Sequence, residues 1–199
     1  MNTGEAQVKF VTHPEVIVYP RAASLLRNLI PVVPITFNKF YAEARYNYDF
    51  ENTAGAYVGK SFSGQGRVNQ KLIPQAGALI GDFSGSSIQF YYRLETKRFE
   101  LNFQNQYAVS IRNANDRFYY NWSSLELKLT RHFSAGGSTQ LYFNSYNQKG
   151  NYNDNGLFVV VKKSRLYFFL FDFNAYDPPT HYLLTGFVYS IISPGKGKI

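Results

Sequence analysis

The sequence predicts an all-β fold, an antiparallel up-and-down transmembrane β-barrel of about ten strands (roughly 8–12) behind an irregular N-terminal segment. Three observations predict it. The first is composition. The 199 residues include 17 tyrosines and 18 phenylalanines, and 45% of the chain is apolar, which excludes disorder. Only 17% is charged, against about 25% in soluble domains. Flat rings pack well on a pleated surface, so this composition favours strands. The second is a two-residue period that starts at Asn38. The third is length, because most segments reach roughly nine residues, longer than the usual five or six of globular sheets.

The elements follow in order. Residues 1–37 carry Pro14, Pro20, Pro31 and Pro34, with one or two helical turns between Ala22 and Ile30, and read as a plug or a periplasmic lead-in. The barrel is expected over 38–192, and 193–199 is a tail. From Phe40 to Phe50 one face is Phe40, Ala42, Ala44, Tyr46, Tyr48 and Phe50, and the other is Tyr41, Glu43, Arg45, Asn47 and Asp49. Successive side chains on a strand point to opposite faces, so this strand lies between an apolar and a polar medium. Arg98 to Arg112 repeats the design over a longer stretch. Phe99, Leu101, Phe103, Asn105, Tyr107, Val109 and Ile111 share an uncharged face, and Arg98, Glu100, Asn102, Gln104, Gln106, Ala108, Ser110 and Arg112 lie opposite. Further strands are expected at Ala54 to Phe62, Gln70 to Gly81, Ser86 to Leu94, Phe118 to Thr130, Thr139 to Gln148, Leu157 to Lys163, Arg165 to Asn174 and His181 to Ile191. Pro74 implies a bulge or an edge irregularity. Turns are expected at Asn52-Thr53, Gly64-Gln65-Gly66, Asp82 to Gly85, Asn113 to Asp116, Ala135-Gly136-Gly137, Gly150 to Asn155 and Asp177-Pro178-Pro179.

Alternation alone does not say which face is wet. A barrel of about ten strands holds only modest side chains inside, so the bulky face belongs outside, against lipid. Strands of about ten residues tilted near 40° span an apolar band of about 25 Å. Tyr41, Tyr57, Tyr119, Tyr146 and Tyr182 lie near segment ends, where an interfacial belt would place them. No apolar run approaches the roughly 18 residues of a spanning helix. The first twenty residues lack the features of a secretory signal, so export implies that these are mature residues. The chain has no cysteine, which excludes disulfides and thiolate metal sites.

The candidate site is the polar face. Glu43, Arg45, Arg98, Glu100, Glu126, Lys128 and Asp172 mix both signs and are expected to line the lumen. Because an unpaired buried charge is costly, they read first as a salt-bridged filling of the bore, and second as a constriction that selects small solutes. His132-Phe133-Ser134 spells a His-x-Ser pair of the kind that activates a hydroxyl, but it adjoins Ala135-Gly136-Gly137 and reads as a structural turn. His13, His132 and His181 have no metal spacing. Asp154 among Asn151, Asn153 and Asn155 reads as a hairpin loop rather than a calcium site. No catalytic residue and no cofactor is expected. The formal charge of +8 is scattered rather than clustered, so nucleic acid is not an expected partner.

The stretches FYAEARYNYDF (from Phe40), LIPQAGALIGDFSG (from Leu72) and DRFYYNWSSLELKL (from Asp116) make 38–191 resemble the small outer-membrane β-barrels of Gram-negative bacteria. The likeness is one of style and covers about three quarters of the chain. It implies the bacterial outer membrane as location, outer-membrane lipid as surroundings and other outer-membrane proteins as potential partners. The chain departs from the family's aromatic final residue, since Phe187 and Tyr189 precede the tail Ser193 to Ile199. The expected function is a non-enzymatic narrow channel or a structural or partner-binding component. A lipid hydrolase resting on His132 and Ser134, or a soluble β-sandwich binding protein, is the alternative.

Overall fold

The structure, a computed structural model, describes residues 10–12, 15–18, 29–145 and 151–192. The expected tail 193–199, most of the helical stretch 22–30, His13 and Tyr146 lie outside the described residues. Strands β1 (Phe10–Thr12) and β2 (Glu15–Val18) precede β3 (Leu29–Phe37), β4 (Phe40–Tyr46), β5 (Thr53–Lys60) and β6 (Phe62–Gly64). The long strands β7 (Asn69–Gly81), β8 (Gly85–Glu95), β9 (Phe99–Ser110), β10 (Arg117–Lys128), β11 (Phe133–Asn144) and β12 (Tyr152–Lys163) follow. The wall ends with β13 (Leu166–Phe173), β14 (Tyr182–Tyr189) and β15 (Ile191–Ile192).

All pairings are antiparallel and the sheet closes on itself. β1 and β2 run on one line, pairing with β3 on one side and with β15 and β14 on the other. Twelve strands therefore form the wall, with β6 as an extra piece continuing β5, rather than the expected ten. The two additional strands come from residues 10–12 with 15–18 and from 29–37, within the segment expected to be irregular. Its prolines hide the pattern. Pro31 and Pro34 lie within β3, where a missing amide hydrogen ordinarily argues against a strand.

Pro74 acts as expected of an irregularity, but without a bulge. Gly59 faces Gln75 and Phe62 faces Leu72 in one unbroken register, so the ladder skips the position where proline has no donor and then resumes. Ala135-Gly136-Gly137, expected as a turn, lies inside β11. A Cβ on Gly136 would stand 2.0 Å from the Leu125 carbonyl oxygen and 2.7 Å from Phe158 Cζ. Glycine is there because another backbone and a ring approach closely, not because the chain turns.

Most connections sort by length. One end of the barrel has the short turns 38–39, 65–68, 96–98, 129–132 and 164–165, and the other has the longer 47–52, 111–116 and 174–181, with the short turn 82–84 as the exception. The two-residue turns 38–39 and 164–165 begin with left-handed residues, Asn38 with φ of 54° and Ser164 with φ of 57°, a conformation that asparagine tolerates.

The outer face is apolar. Ile80, Ile88, Phe90, Leu125, Leu127, Leu157, Phe168 and Leu170 are all exposed on it. Its main polar patch satisfies itself, with Tyr119 Oη and Asn121 Nδ2 donating to Asn105 Oδ1 at 2.8 and 2.9 Å. Of the expected interfacial tyrosines, Tyr119 does lie on this face. Tyr41 and Tyr57 are buried in the lumen, and Tyr182 stacks on Phe173 there. Position near a strand end does not decide the face of a side chain, whereas the parity of the strand does.

Candidate functional site

The lumen has two chemically different sides. Along β12, β13 and β14 it is lined by Phe158, Val160, Phe169, Phe171, Phe173 and Leu184, which pack with Ile17, Ile30 and Val32. The middle of these strands, Leu157 to Val161 and Phe168 to Phe171, is apolar on both faces. The β4–β10 side is polar and centres on Arg45.

Arg45 is 5% exposed. Its Nε donates to Asp49 Oδ2 at 2.8 Å and Nη2 to Asp49 Oδ1 at 2.5 Å, a bidentate pair. Nη1 donates to Glu43 Oε1 at 3.2 Å, and Nη2 also reaches Gln89 Oε1 at 3.0 Å and Gln106 Oε1 at 2.9 Å. The rings of Tyr48 and Tyr57 cover the guanidinium, with centroids 4.6 and 4.2 Å away. Such saturation allows an ionised pair to persist without bulk water.

Asp49 reaches this position because β4 ends at Tyr46 and Asn47 turns left-handed, with φ of 57°. The reversal breaks the alternation that would send Tyr48 outward. Loop 47–52 instead folds into the bore from the long-loop end. Tyr48 stacks on Trp122 at 6.5 Å and donates to Gln104 Oε1 at 2.8 Å, and Phe50 packs on Phe83 at 5.9 Å. Asn47 Oδ1 accepts the Asn52 amide at 2.8 Å and ties the loop's base.

Toward the short-turn end a second ionic chain crosses β8 to β12. Arg93 Nη2 contacts Glu100 at 2.6 Å and Glu95 at 3.3 Å, Lys128 Nζ contacts Glu95 at 2.5 Å, and Lys162 Nζ contacts Glu126 at 2.7 Å.

Of the seven residues expected to line the lumen, Glu43 and Arg45 join the central cluster, and Glu100, Glu126 and Lys128 join the second chain. Arg98 does not. It sits exposed in the turn 96–98, because β8 and β9 stop short of it. Asp172 does not either. Phe171 and Phe173 take the lumen face, so Asp172 faces outward beside Leu170, where its Oδ1 meets His181 Nε2 at 2.7 Å. Asp49, Arg93, Glu95, Lys71 and Lys162 were not among the expected residues. Strand parity with Glu100 would have found Arg93 and Glu95, but no local pattern signals that Asp49 folds back.

The other candidate chemistries separate in space. His132 is exposed, with Nδ1 at 3.1 Å from the Lys162 carbonyl oxygen and Nε2 accepting from Arg131 Nε at 2.8 Å, while Ser134 is 1% exposed and faces the lumen. Asp154 accepts from Asn174 Nδ2 at 2.6 Å and Tyr182 Oη at 2.9 Å on the inner side, away from the outward Asn153 and Asn155. Among the described residues no cluster of metal-ligating side chains occurs.

No protein-family model matches the chain and no curated protein matches it. Solved structures do. The KdgM porin aligns with a TM-score of 0.55 at 9% identity, covering 91% of this chain and 99% of that one. A KdgM porin in complex with disordered oligogalacturonate gives 0.52 at 11% identity over 92% and 99%, and the NanC porin gives 0.55 at 9% over 92% and 100%. At these identities the shared property is the fold. The chain therefore shares the closed antiparallel β-barrel fold of these porins, and its outward face is apolar.

Proposed function

We propose that the protein is a narrow outer-membrane channel whose bore is restricted by the inserted loop 47–52, with outer-membrane lipid as its surroundings and no enzymatic role. One observation carries this reading. The restriction comes from a loop held by polar contacts to Arg45 and Gln104, whereas a barrel filled only for stability could complete its core with strand side chains. The charged groups of the lumen, Glu43, Arg45, Glu100, Glu126 and Lys128, act on this reading as a lining that selects passing solutes. A porin-like fold supports the channel role, and the divergence of His132 from Ser134 favours a non-enzymatic barrel over a lipid hydrolase.

Planar-bilayer recording tests it. The wild-type protein is expected to give small, discrete conductance steps. A variant with Tyr48, Asp49 and Phe50 replaced by Gly-Ser-Gly is expected to give steps several times larger. A closed baseline from both proteins would leave the barrel as a plug and end the channel reading.

A further inference from the structure

The cations that lie scattered along the sequence are gathered by the fold at one end of the barrel. The five short turns carry Lys39, Arg67, Lys97, Arg98, Arg131 and Arg165, all exposed, and no carboxylate. Lys60 and Lys163, at the adjoining ends of β5 and β12, are exposed as well. None of these cations forms an ion pair among the described residues. Glu95 and Glu100, which flank the turn 96–98, are committed to Arg93 and Lys128 on the lumen side. At the opposite end the described connections reverse the sign, with Glu51, Asp82, Asp116 and Asp177 against Arg112. A rim of like charge repels itself, and an anionic partner relieves it.

The chemistry beside these cations says which partner. Phe40 follows Lys39, Phe99 follows Arg98, Phe62 comes two residues after Lys60, and Phe133 two after Arg131. The four rings are between 38% and 52% exposed. Lys60 Nζ stands 5.4 Å from the centroid of Phe62, and Lys60 and Lys163 extend the exposed faces of Val58 and Val161. A ring is stabilised by hydrocarbon and a cation by water or an anion, so the pairing fits the plane where acyl chains meet headgroups. The charged turns run from β3–β4 round to β12–β13. A protein docking from one side would meet a sector of that rim, whereas lipid meets all of it.

We propose that the short-turn rim docks on the headgroups of anionic glycerophospholipids, with their phosphates on the turn cations and their acyl chains against Phe40, Phe62, Phe99 and Phe133. The inference rests on the reading of this barrel as one that spans a membrane with lipid around it. Bacterial barrels keep their short turns at the periplasmic end, and the leaflet there is built of glycerophospholipids. Each cation near an anionic surface adds to the attraction, which fades within a Debye length. The contacts fix the depth of this end. The same surface repels the acidic rim opposite, so the asymmetry also sets which end meets it.

Electron spin resonance of spin-labelled lipids tests it on the refolded full chain in phosphatidylcholine vesicles. Labelled phosphatidylglycerol is expected to be motionally restricted at the barrel about twofold or more over labelled phosphatidylcholine. In roughly 1 M salt, where the Debye length is about 3 Å, the preference is expected to vanish. The variant carrying Lys39→Gln, Arg67→Gln, Arg98→Gln, Arg131→Gln and Arg165→Gln is expected to lose it too. Arg112→Gln with Arg117→Gln, at the other end, is expected to keep it. The salt titration of the wild type reads the same contact should the rim variant fail to fold. Equal restriction of the two lipids, a preference indifferent to salt, or one kept by the rim variant would overturn the proposal and leave the spanning barrel. Loss of the preference in the Arg112 and Arg117 variant alone would move the lipid contact to the opposite rim and overturn it as well. No restricted component from either lipid would end the spanning reading itself.

Discussion

Arg45 and Asp49 form a two-bond ion pair inside the bore, at 2.8 and 2.5 Å, with side chains only 2% and 0% exposed. Four residues apart in sequence, they belong to different structures. Arg45 is in the rigid wall and Asp49 is in the loop that narrows it. The pair fastens one to the other.

Removing Asp49 takes away the two-bond partner of the buried guanidinium and leaves Glu43 as its one carboxylate, so the cost falls below the roughly 3–5 kcal/mol of a fully orphaned buried charge. Asp49→Ala is therefore expected to lower the midpoint of urea unfolding in vesicles and to widen conductance. Arg45→Met with Asp49→Leu is expected to recover little of the stability, because Glu43 then loses its cation and Gln89 and Gln106 lose their donor. An Asp49→Ala barrel as stable and as narrow as wild type would show that the pair does not fasten the loop.

Two adjacent glycines in β11 are expected to behave differently. A Cβ on Gly136 meets the Leu125 carbonyl oxygen at 2.0 Å, whereas the nearest atom to a Cβ on Gly137 is 3.9 Å away. Gly136→Ala is expected to destabilise the barrel by about 1–3 kcal/mol through overpacking, and Gly137→Ala by less than about 0.5 kcal/mol. Heat-dependent gel migration and urea titration of the two proteins give the comparison. Equal effects would refute the close approach of β10 to β11.

Trp122, the single tryptophan, faces the lumen, donates to Ser138 Oγ at 2.8 Å and packs on Phe171 at 5.5 Å. Brominated acyl chains quench indoles that they touch. Wild-type fluorescence is expected to be quenched weakly in brominated bilayers. Leu125→Trp combined with Trp122→Phe, which moves the indole to the outer face, is expected to be quenched strongly. Strong quenching of the wild type would mean that the two faces of β10 are reversed.

Leu170 is 42% exposed on the outer face, and its strand neighbour Phe169 is 8% exposed inside. Arginine on the lipid side costs about 2–4 kcal/mol near the bilayer midplane. Leu170→Arg is accordingly expected to lower vesicle-measured stability by that amount, while Leu170→Phe changes it little. An arginine tolerated at position 170 without loss would place this face in water.

How much of this was legible depended on range. The β9 pattern could be read directly, because Phe99 to Val109 and Glu100 to Ala108 alternate between two media and the structure keeps that parity. Glu43 and Arg45 followed by the same rule. Asp172 failed it because Phe169, Phe171 and Phe173 claim the inner face of β13, where both faces are apolar and alternation carries no contrast. β1 to β3 were obscured by Pro31 and Pro34, which the edge-free wall nonetheless accommodates.

The sequence by itself determined an all-β barrel with a greasy exterior, since a two-residue period over long aromatic strands has few other physical solutions. Only the tertiary structure decided the twelve-stranded closure, the aromatic half of the lumen and the return of Tyr48 and Asp49 into the bore. Those features depend on which distant strands become neighbours and on one left-handed residue at Asn47. Side-chain periodicity is a property of a single strand, and it carries no information about what stands across the barrel.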